Sequence, residues 1–420
     1  MTVVSASGTE TALAALLRDP EVAELFAALE GDGEETRIVG GAVRNALMGL
    51  PVAEIDFATT ALPPEVTRRA SLKGFKPVPT GIEHGTVTVV VRGRPFEVTT
   101  LREDVETDGR HAVVRFGRSF AADAARRDFT INALSLDRGG RLHDTVGGLA
   151  DIAARHVRFI GEAQKRIEED YLRILRFFRF HASYAEGRLD PEGFAAAIRL
   201  RDGLRLLSAE RLRNELIKLL TAPGAVATAE EMLAGGFWPL LLNGPPHIGR
   251  FAAFVSREGG VGEERSALGR LAALAVTTEE DAARLRETLR LSNAEATQLA
   301  RIARALETLH GWAARPSHDP IAADLTRLVL EVGAQPVSIA LAIEGTAASE
   351  ARLGKLLHRT RSTPAFPLSG VHVLARGVAP GPEVGRILAL AREAWIKAHC
   401  PLDEAGLASI LDGAIGSGEA

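Results

Sequence analysis

The chain has 420 residues, of which 46% are hydrophobic and 25% are charged, and its formal net charge is -4. A chain of this size and composition can bury a large core and divide into several domains, and its charge gives no general signal for nucleic acid. Its single cysteine, Cys400, excludes an internal disulfide and suits a reducing cytoplasm. No apolar stretch approaches the length that crosses a bilayer, so we expect a cytoplasmic protein that does not engage a membrane.

The first informative motif follows a predicted helix over Leu13 to Leu29 and reads Gly40-Gly41-Ala42-Val43-Arg44. Gly40 and Gly41 would let backbone amides approach phosphate oxygens closely, and Arg44 adds a forked donor nearby. An ordinary strand-to-helix turn is the alternative for the two glycines taken alone.

A pair of carboxylates comes next, at Glu54 and Asp56, with Ile55 between them and Phe57 after them. If this segment is a strand, both carboxylates point to one face, and such a face can hold magnesium for phosphoryl or nucleotidyl transfer. A solvated acidic face is the alternative. Two β-rich runs, residues 86–91 and 96–100, then predict a hairpin in which Glu97 could join the pair.

The end of the predicted head contains a polar segment and a charged motif. Residues 102–118, which include Asp108-Gly109-Arg110-His111, lack clean periodicity and predict a mobile loop. The motif Arg126-Arg127-Asp128 precedes the apolar run that contains Asn132, and its two cations beside an anion suit a triphosphate and a ribose hydroxyl. An Arg-Asp pair that ties a helix to the sheet is the alternative.

From residue 151 onward the pattern is almost wholly helical. Asp170 lies where a strongly helical stretch opens, and Arg173, Arg176 and Arg179 recur at every third position, which places them on one side of that helix. A modest surface ion pair between Asp170 and Arg173 is the alternative. Ser208 precedes an apolar-periodic run, residues 212–220, and predicts a helix cap.

These motifs, in this order over residues 38–220, resemble those of the class II tRNA nucleotidyltransferases, the CCA-adding enzymes, and of the related bacterial poly(A) polymerases. The resemblance implies an α+β fold, with an N-terminal mixed α/β nucleotidyltransferase head of the polymerase-β-like kind followed by a helical neck, body and tail. We predict the boundaries at residues 1–145 for the head, 146–222 for the neck, 223–345 for the body and 346–420 for the tail.

The resemblance also implies roles for the motif residues. Glu54 and Asp56 would bind Mg2+ and Glu97 would be a candidate third ligand, although the family usually carries aspartate where this chain has Glu54. Asp128, with Arg127 beside it and Asn132 in support, would accept the ribose 2′-hydroxyl. Asp170 and Arg173 would select cytosine and adenine, because these bases place an amino donor beside a ring-nitrogen acceptor. The complete set of nucleotide-binding positions would be Gly40, Gly41, Arg44, Arg127, Asp128, Asn132, Asp170, Arg173, Arg176 and Arg179.

The resulting prediction is an enzyme that adds CMP, CMP and AMP to the 3′ end of tRNA from CTP and ATP. Poly(A) polymerase activity, addition of CC or A alone, and an RNA-binding protein with a weakened catalytic centre stay open, the last supported only by Glu54. In the tail, residues 377–385 predict a turn whose amides could face RNA phosphates. The doublet His318-Asp319 stands between prolines in a predicted loop, and we expect no phosphohydrolase site there. The sequence leaves the oligomeric state open.

Overall fold

The computed structural model describes residues 6–108, 111–261, 266–313, 322–345, 355, 358 and 360–417. The chain forms two compact units, residues 1–240 and 241–420. Among the described residues every strand lies in the first unit, and helices make up the regular structure of the second. The predicted α+β chain with a mixed head followed by helices is therefore confirmed, while the four domain boundaries stay a prediction.

The first unit begins with a mixed α/β region and continues as helices. Its strands are β1 (Thr36–Val39), β2 (Asp56–Thr59), β3 (Lys76–Gly81), β4 (Thr86–Val91), β5 (Arg94–Thr100), β6 (Arg102–Asp108), β7 (His111–Phe116), β8 (Ser135–Asp137) and β9 (Leu142–His143). Its helices are α1 (Ala6–Arg18), α2 (Pro20–Leu29), α3 (Gly41–Leu47), α4 (Pro63–Leu72), α5 (Phe120–Ala125), α6 (Gly148–Ala153), α7 (Ala163–Glu169), α8 (Leu172–Tyr184), α9 (Pro191–Leu200), α10 (Ala209–Leu220) and α11 (Ala225–Ala234).

The head is built on a seven-stranded sheet with the order β3-β4-β5-β2-β1-β8-β9. Strands β2 and β5 are parallel, and the other neighbours are antiparallel. The predicted hairpin is confirmed as β4 and β5, joined by Arg92 and Gly93, which both have positive φ as a tight two-residue hairpin turn requires. Phe57 of β2 packs edge-on between Phe26 and Phe96, which fixes β2 in the core of the head.

Two predictions for the head need correction. The single helix expected over Leu13 to Leu29 is two helices, because Asp19 caps a new helix that starts at Pro20. The predicted mobile loop over residues 102–118 contains an antiparallel pair, β6 and β7, which forms a sheet of its own. The antiparallel ladder satisfies the backbone hydrogen-bonding groups, although the sequence shows no clear alternation of polar and apolar residues. Gly109 and Arg110 of the singled-out loop motif lie outside the described residues.

Helix α8 is anchored by aromatic packing. Phe177 and Phe180 of α8 approach Phe129, with ring centroids 6.3 and 5.0 Å apart, and Phe159 stacks on Phe177 at 5.3 Å. Phe129 directly follows Asp128, so this cluster fixes the start of the short helical turn Thr130–Asn132 against α8. Helix α10 also packs on α8, and it begins at the predicted cap, Ser208, whose side chain accepts from the Arg211 amide.

The second unit consists of packed helices, with α12 (Trp238–Leu242) crossing the boundary. Its helices are α13 (Ile248–Val261), α14 (Ala267–Ala275), α15 (Glu279–Thr288), α16 (Asn293–Ala313), α17 (Ala322–Val332), α18 (Ala334–Glu344), α19 (Gly370–Leu374), α20 (Pro382–Lys397) and α21 (Glu404–Gly416). The predicted tail turn is confirmed for residues 377–381, which link α19 to α20, whereas residues 382–385 already belong to α20. His318-Asp319 lies outside the described residues. Among the helices described, none is long and apolar enough to cross a membrane.

Candidate active site

The glycine motif forms the turn between β1 and α3. Gly40 has φ of +68° and ψ of -124°, a conformation that essentially only glycine adopts without strain. Its amide donates to the Leu134 carbonyl at 3.2 Å, and a Cβ added to Gly40 would lie 3.2 Å from Nη1 of Arg127. The turn therefore needs glycine for its backbone and for the approach of an arginine.

The carboxylates of Glu54, Asp56 and Glu97 gather around the start of the central strand β2, next to this turn, and are called the acidic edge below. Asp56 starts β2 and is half-buried, Glu54 is exposed in the segment before it, and buried Ile55 and Phe57 alternate with them, as predicted. Glu97 lies exposed on β5, the parallel neighbour of β2. The next residue of β5, Val98, pairs with Phe57 of β2. Burial raises the pKa of Asp56, the charges of Glu97 and Glu54 raise that pKa further, and only the Arg127 charge opposes them.

A cation suits this edge because the charges of Glu97 and Glu54 raise the cost of ionising Asp56 there. Hard divalent cations favour carboxylate oxygen ligands, so Glu54 and Asp56 fit Mg2+ by their donor chemistry. No group of three or more His, Cys, Asp or Glu side chains among the described residues is placed to hold a metal together. Glu97 is thus a close acidic neighbour of Asp56, and its role as a third ligand stays a prediction.

Asp128 lies buried on the head side of α8 and is fully surrounded by donors. Its Oδ1 accepts from the Phe129 amide at 2.9 Å and from Asn132 Nδ2 at 3.2 Å, and its Oδ2 accepts from Arg176 Nε and Nη2 at 2.8 and 2.5 Å. Burial by itself opposes ionisation, but Arg176 holds the pKa of Asp128 below its usual range. Asp128 does join a helix to the sheet region, but through Arg176 and not through its sequence neighbour.

Arg127 has a different partner. Its Nε and Nη2 donate to Asp123 Oδ2 at 3.2 and 3.1 Å, and its Nη1 donates to the Asn132 carbonyl at 3.2 Å. The same Nη1 is the atom that faces Gly40, and its charge reaches Asp56. The arginine is thus held between the glycine turn and the acidic edge.

Arg44 is buried and its fork is occupied by protein groups. Nη1 donates to Asn132 Oδ1 at 2.5 Å, and Nη2 donates to Tyr184 Oη and to Asn45 Oδ1, both at 2.8 Å. A Cβ added to Gly41 would lie 3.6 Å from the same Nη2. Arg44 therefore lies beside the glycine turn, where it connects α3, the Asn132 turn and the end of α8.

The proposed base-selecting pair is not an ion pair. Asp170 directly follows α7, accepts from the Leu172 amide at 3.1 Å, and forms its salt bridge with Arg211 of α10 at 2.7 Å. Arg173 pairs with Glu169 and donates to the Arg166 carbonyl at 2.8 Å. The alternative of a simple Asp170–Arg173 surface pair is therefore wrong, because each side chain is oriented by a separate partner.

The two remaining arginines of α8 meet Glu215 of α10. Arg179 Nε donates to Glu215 Oε2 at 2.5 Å, and Arg176 Nη1 lies 3.9 Å from Glu215 Oε1. Both guanidinium groups also lie over the ring of Phe180, at 4.3 and 5.2 Å from its centroid. Arg173, Arg176 and Arg179 thus line α8 as predicted, but their partners lie on three different elements.

Sequence reasoning missed the residues that position the predicted ones. Arg211 and Glu215 are four apart on α10, directly after the Ser208 cap, so the spacing of an acid and a base on one helix face was the available signal. Glu169 stands four residues before Arg173, which is the same kind of signal. No such sequence signal exists for Tyr184, because its contact with Arg44 joins positions that lie 140 residues apart.

Comparison with known proteins gives two family matches. Residues 36–158 match the poly A polymerase head domain, and residues 188–247 match the probable RNA and SrmB-binding site of polymerase A. The CCA-adding enzyme of Lactobacillus delbrueckii subsp. bulgaricus is 29% identical over 390 residues, which cover 91% of this chain and 95% of that enzyme. Residues 36–158 thus belong to the family of poly A polymerase head domains, and the chain as a whole is similar to a CCA-adding enzyme.

Other relatives have a higher sequence identity to this chain, but over a shorter part of it. The CCA tRNA nucleotidyltransferase 1, mitochondrial, of Mus musculus is 45% identical over 201 residues, which are 47% of this chain and 46% of that protein. The chain thus spans about half the length of such curated relatives. The structure of the Bacillus stearothermophilus CCA-adding enzyme in complex with CTP is 28% identical, with a TM-score of 0.69 over 95% of this chain and 98% of that one. The family fold therefore extends over nearly the whole chain.

Proposed function

We propose that this protein adds CMP, CMP and AMP to the 3′ end of tRNA from CTP and ATP and releases pyrophosphate. The observation that carries the proposal is the separate anchoring of Asp170 by Arg211 and of Arg173 by Glu169. An acceptor and a donor that do not neutralise each other are available to a base, and together they match the edge of cytosine and of adenine. Relatives named CCA-adding enzymes support the same conclusion.

The acidic edge supplies the catalytic groups in this proposal. Glu54 and Asp56 would hold Mg2+, which when bound lowers the pKa of the RNA 3′-hydroxyl and neutralises the departing pyrophosphate. Asp56 must be ionised to serve as a ligand, and Arg127 favours that state by its charge. The amides of the Gly40-Gly41 turn and the Arg127 guanidinium would position the triphosphate against this edge.

Asp128 would read the ribose. A carboxylate offers about four lone-pair sites, and the four donors around Asp128 fill them. An incoming 2′-hydroxyl would therefore share the site of Asn132 Nδ2, whose contact at 3.2 Å is the longest of the four. Deoxynucleotides lack that hydroxyl and would gain no hydrogen bond from Asp128.

The test is addition to tRNA that lacks its CCA end, with Mg2+ and with CTP and ATP supplied separately and together, followed by sequencing of the 3′ ends. CC with CTP alone and CCA with both is the expected result. Long A tracts with ATP alone would instead establish poly(A) polymerase activity, which the match to the poly A polymerase head domain also favours. RNA binding without any addition would favour the weakened catalytic centre, with the exposed Glu54 as its cause.

The setting of this activity is part of the proposal. We propose Mg2+ as the metal, because the oxygen-only donor set of Glu54 and Asp56 suits it, and replacement by Ca2+ should abolish addition. We propose the cytoplasm as the location, since a chain with Cys400 as its single cysteine needs no oxidising compartment. Detection of the protein only inside an organelle would contradict that location.

A further inference from the structure

Tyr184, the last residue of α8, contacts the guanidinium group of Arg44 in two ways. Arg44 Nη2 donates to the Tyr184 hydroxyl at 2.8 Å, and Arg44 Cζ lies 3.9 Å from the centroid of the Tyr184 ring. Phe180, one turn earlier, lies 5.4 Å from the same carbon. Arg44 is buried, and both kinds of contact are stronger where water is excluded.

Arg44 in turn fixes the amide of Asn132. Arg44 Nη1 donates to Asn132 Oδ1 at 2.5 Å, so the amide nitrogen of Asn132 is the atom that faces Asp128, at 3.2 Å from Oδ1. The opposite orientation of the amide would place a donor against a donor at Arg44 and an acceptor against an acceptor at Asp128. The side chain of Asn132 is buried, so such a mismatch would not be relieved by water.

We propose that Tyr184 is a positioning residue for ribose discrimination, acting through Arg44 and Asn132 on the Asp128 carboxylate. The proposal rests on the proposed function, in which Asp128 accepts the ribose 2′-hydroxyl. Helix α8 then holds this carboxylate from two sides, because Arg176 from its middle binds Oδ2 and Tyr184 at its end controls the donor on Oδ1.

The side of the carboxylate that Tyr184 controls is the one that decides selectivity. The Arg176 fork binds Oδ2 with two hydrogen bonds, and this contact does not depend on Asn132. The Oδ1 side has a single side-chain donor, and its orientation depends on Arg44. Loss of the Tyr184 contact therefore loosens the donor that fixes Oδ1, so the lone pair that would meet a ribose hydroxyl is no longer held in one direction, while Oδ2 stays bound to α8.

The test compares ATP with dATP as substrates of the full-length chain on tRNA that ends in CC. Two variants separate the contacts, since Tyr184→Phe removes the hydroxyl and keeps the ring, and Tyr184→Leu removes both. We expect the ratio of kcat/KM for ATP to that for dATP to fall about threefold to tenfold in Tyr184→Phe, which is less than the full loss of one hydrogen bond to a charged group because Tyr184 acts through Arg44 and Asn132, and further in Tyr184→Leu.

Tyr171→Phe is the matched control, because it removes the same atom at the start of the same helical segment. The ring of Tyr171 packs against Gly203, and no hydrogen bond of its hydroxyl is found within the described part of the chain. The ratio should stay at the wild-type value in this variant. Thermal denaturation of each variant checks that it is folded.

An unchanged ratio in folded Tyr184→Phe and Tyr184→Leu would overturn the proposal. An equal loss with ATP and dATP would also overturn it, because a merely structural role of the tyrosine affects both substrates alike. If the wild-type enzyme itself uses ATP and dATP equally well, the ribose-reading role of Asp128 fails and the proposal falls with it. The two failures are distinct, because only the second appears in the wild type.

Discussion

Glu215 offers the most direct test of how α8 is held in place. Its carboxylate is buried, it accepts from Arg179 Nε at 2.5 Å, and it lies 3.9 Å from Arg176 Nη1. Removal of one partner from a buried ion pair costs about 3 to 5 kcal/mol, because the other charge is left without compensation. The free energy of unfolding that Glu215→Ala removes should lie in the lower part of that range, since the Arg179 side chain retains some access to water.

Glu215→Gln should cost less. Its amide oxygen can still accept from Arg179, so the loss is the difference between a charged and a neutral acceptor, about 1 to 2 kcal/mol. Urea denaturation followed by circular dichroism gives the free energy of unfolding, and hydrogen exchange of the α8 amides assigns the change to the first unit. We also expect the KM for CTP and ATP to rise, because Arg176 and Arg179 lose the acceptor that orients them.

The control is Glu162→Gln, which removes a carboxylate from an exposed pair with Lys165 at the start of α7. Exposed pairs of this kind contribute little, so its unfolding midpoint should match the wild type. The reasoning would be refuted if Glu215→Ala behaved like this control in both denaturation and KM. Such a result would mean that aromatic packing alone holds α8.

Three further predictions concern the turn, the pH response and base selection. Gly40→Ala should lower the free energy of unfolding by about 1 to 3 kcal/mol because of its φ of +68°, whereas Gly41→Ala, whose Cβ meets an ordinary 3.6 Å contact, should cost less in the same urea assay. Burial lowers the pKa of His181 from 6.5 to about 4. The unfolded chain therefore protonates this histidine at a higher pH than the folded chain does. The free energy of unfolding should thus fall, by roughly 3 kcal/mol at most, as the pH drops from 6.5 to about 4. His181→Leu should flatten this dependence in thermal denaturation. Arg211→Gln removes the 2.7 Å partner of Asp170 and should raise incorporation of UMP and GMP relative to CMP and AMP, which single-nucleotide addition assays would measure.

The sequence predicted the fold where local signals agree with the final structure. The alternation around Phe57 and the Arg92-Gly93 turn predict β2 and the β4–β5 hairpin, because side-chain burial and turn geometry are set within a few residues. The break at Pro20 was equally local and was overlooked, since the apolar period continues across it. The β6–β7 pair could not be predicted, because the charged sequence of β6 lacks the alternation that a core imposes.

The sequence predicts the candidate site less completely, because the fold and not the spacing along the chain determines which charged side chains meet. Adjacent residues such as Arg127 and Asp128 point in different directions from a tight turn, so they bind Asp123 and Arg176 instead of each other. Burial makes such a choice necessary for Asp128, since an ionised carboxylate without a partner is costly in the core. The sequence indicates which charges take part, but only the packing of α8 against the head determines which of them meet.

That packing has a consequence for how the proposed enzyme would recognise a nucleotide. Asp170 lies two residues before α8, Arg173 lies in its first turn, Arg176 binds Asp128 near its middle, and Tyr184 binds Arg44 at its end. One helix of 13 residues, about 20 Å long, thus reaches the residues proposed to read the base, those proposed to read the ribose, and the turn proposed to hold the phosphates. Because a helix of this length moves as one body with little bending, it positions all three groups of residues relative to one another. A shift of α8 should therefore change base selection and ribose discrimination together, whereas loss of a single partner, such as Arg211 or Tyr184, should change only one of them.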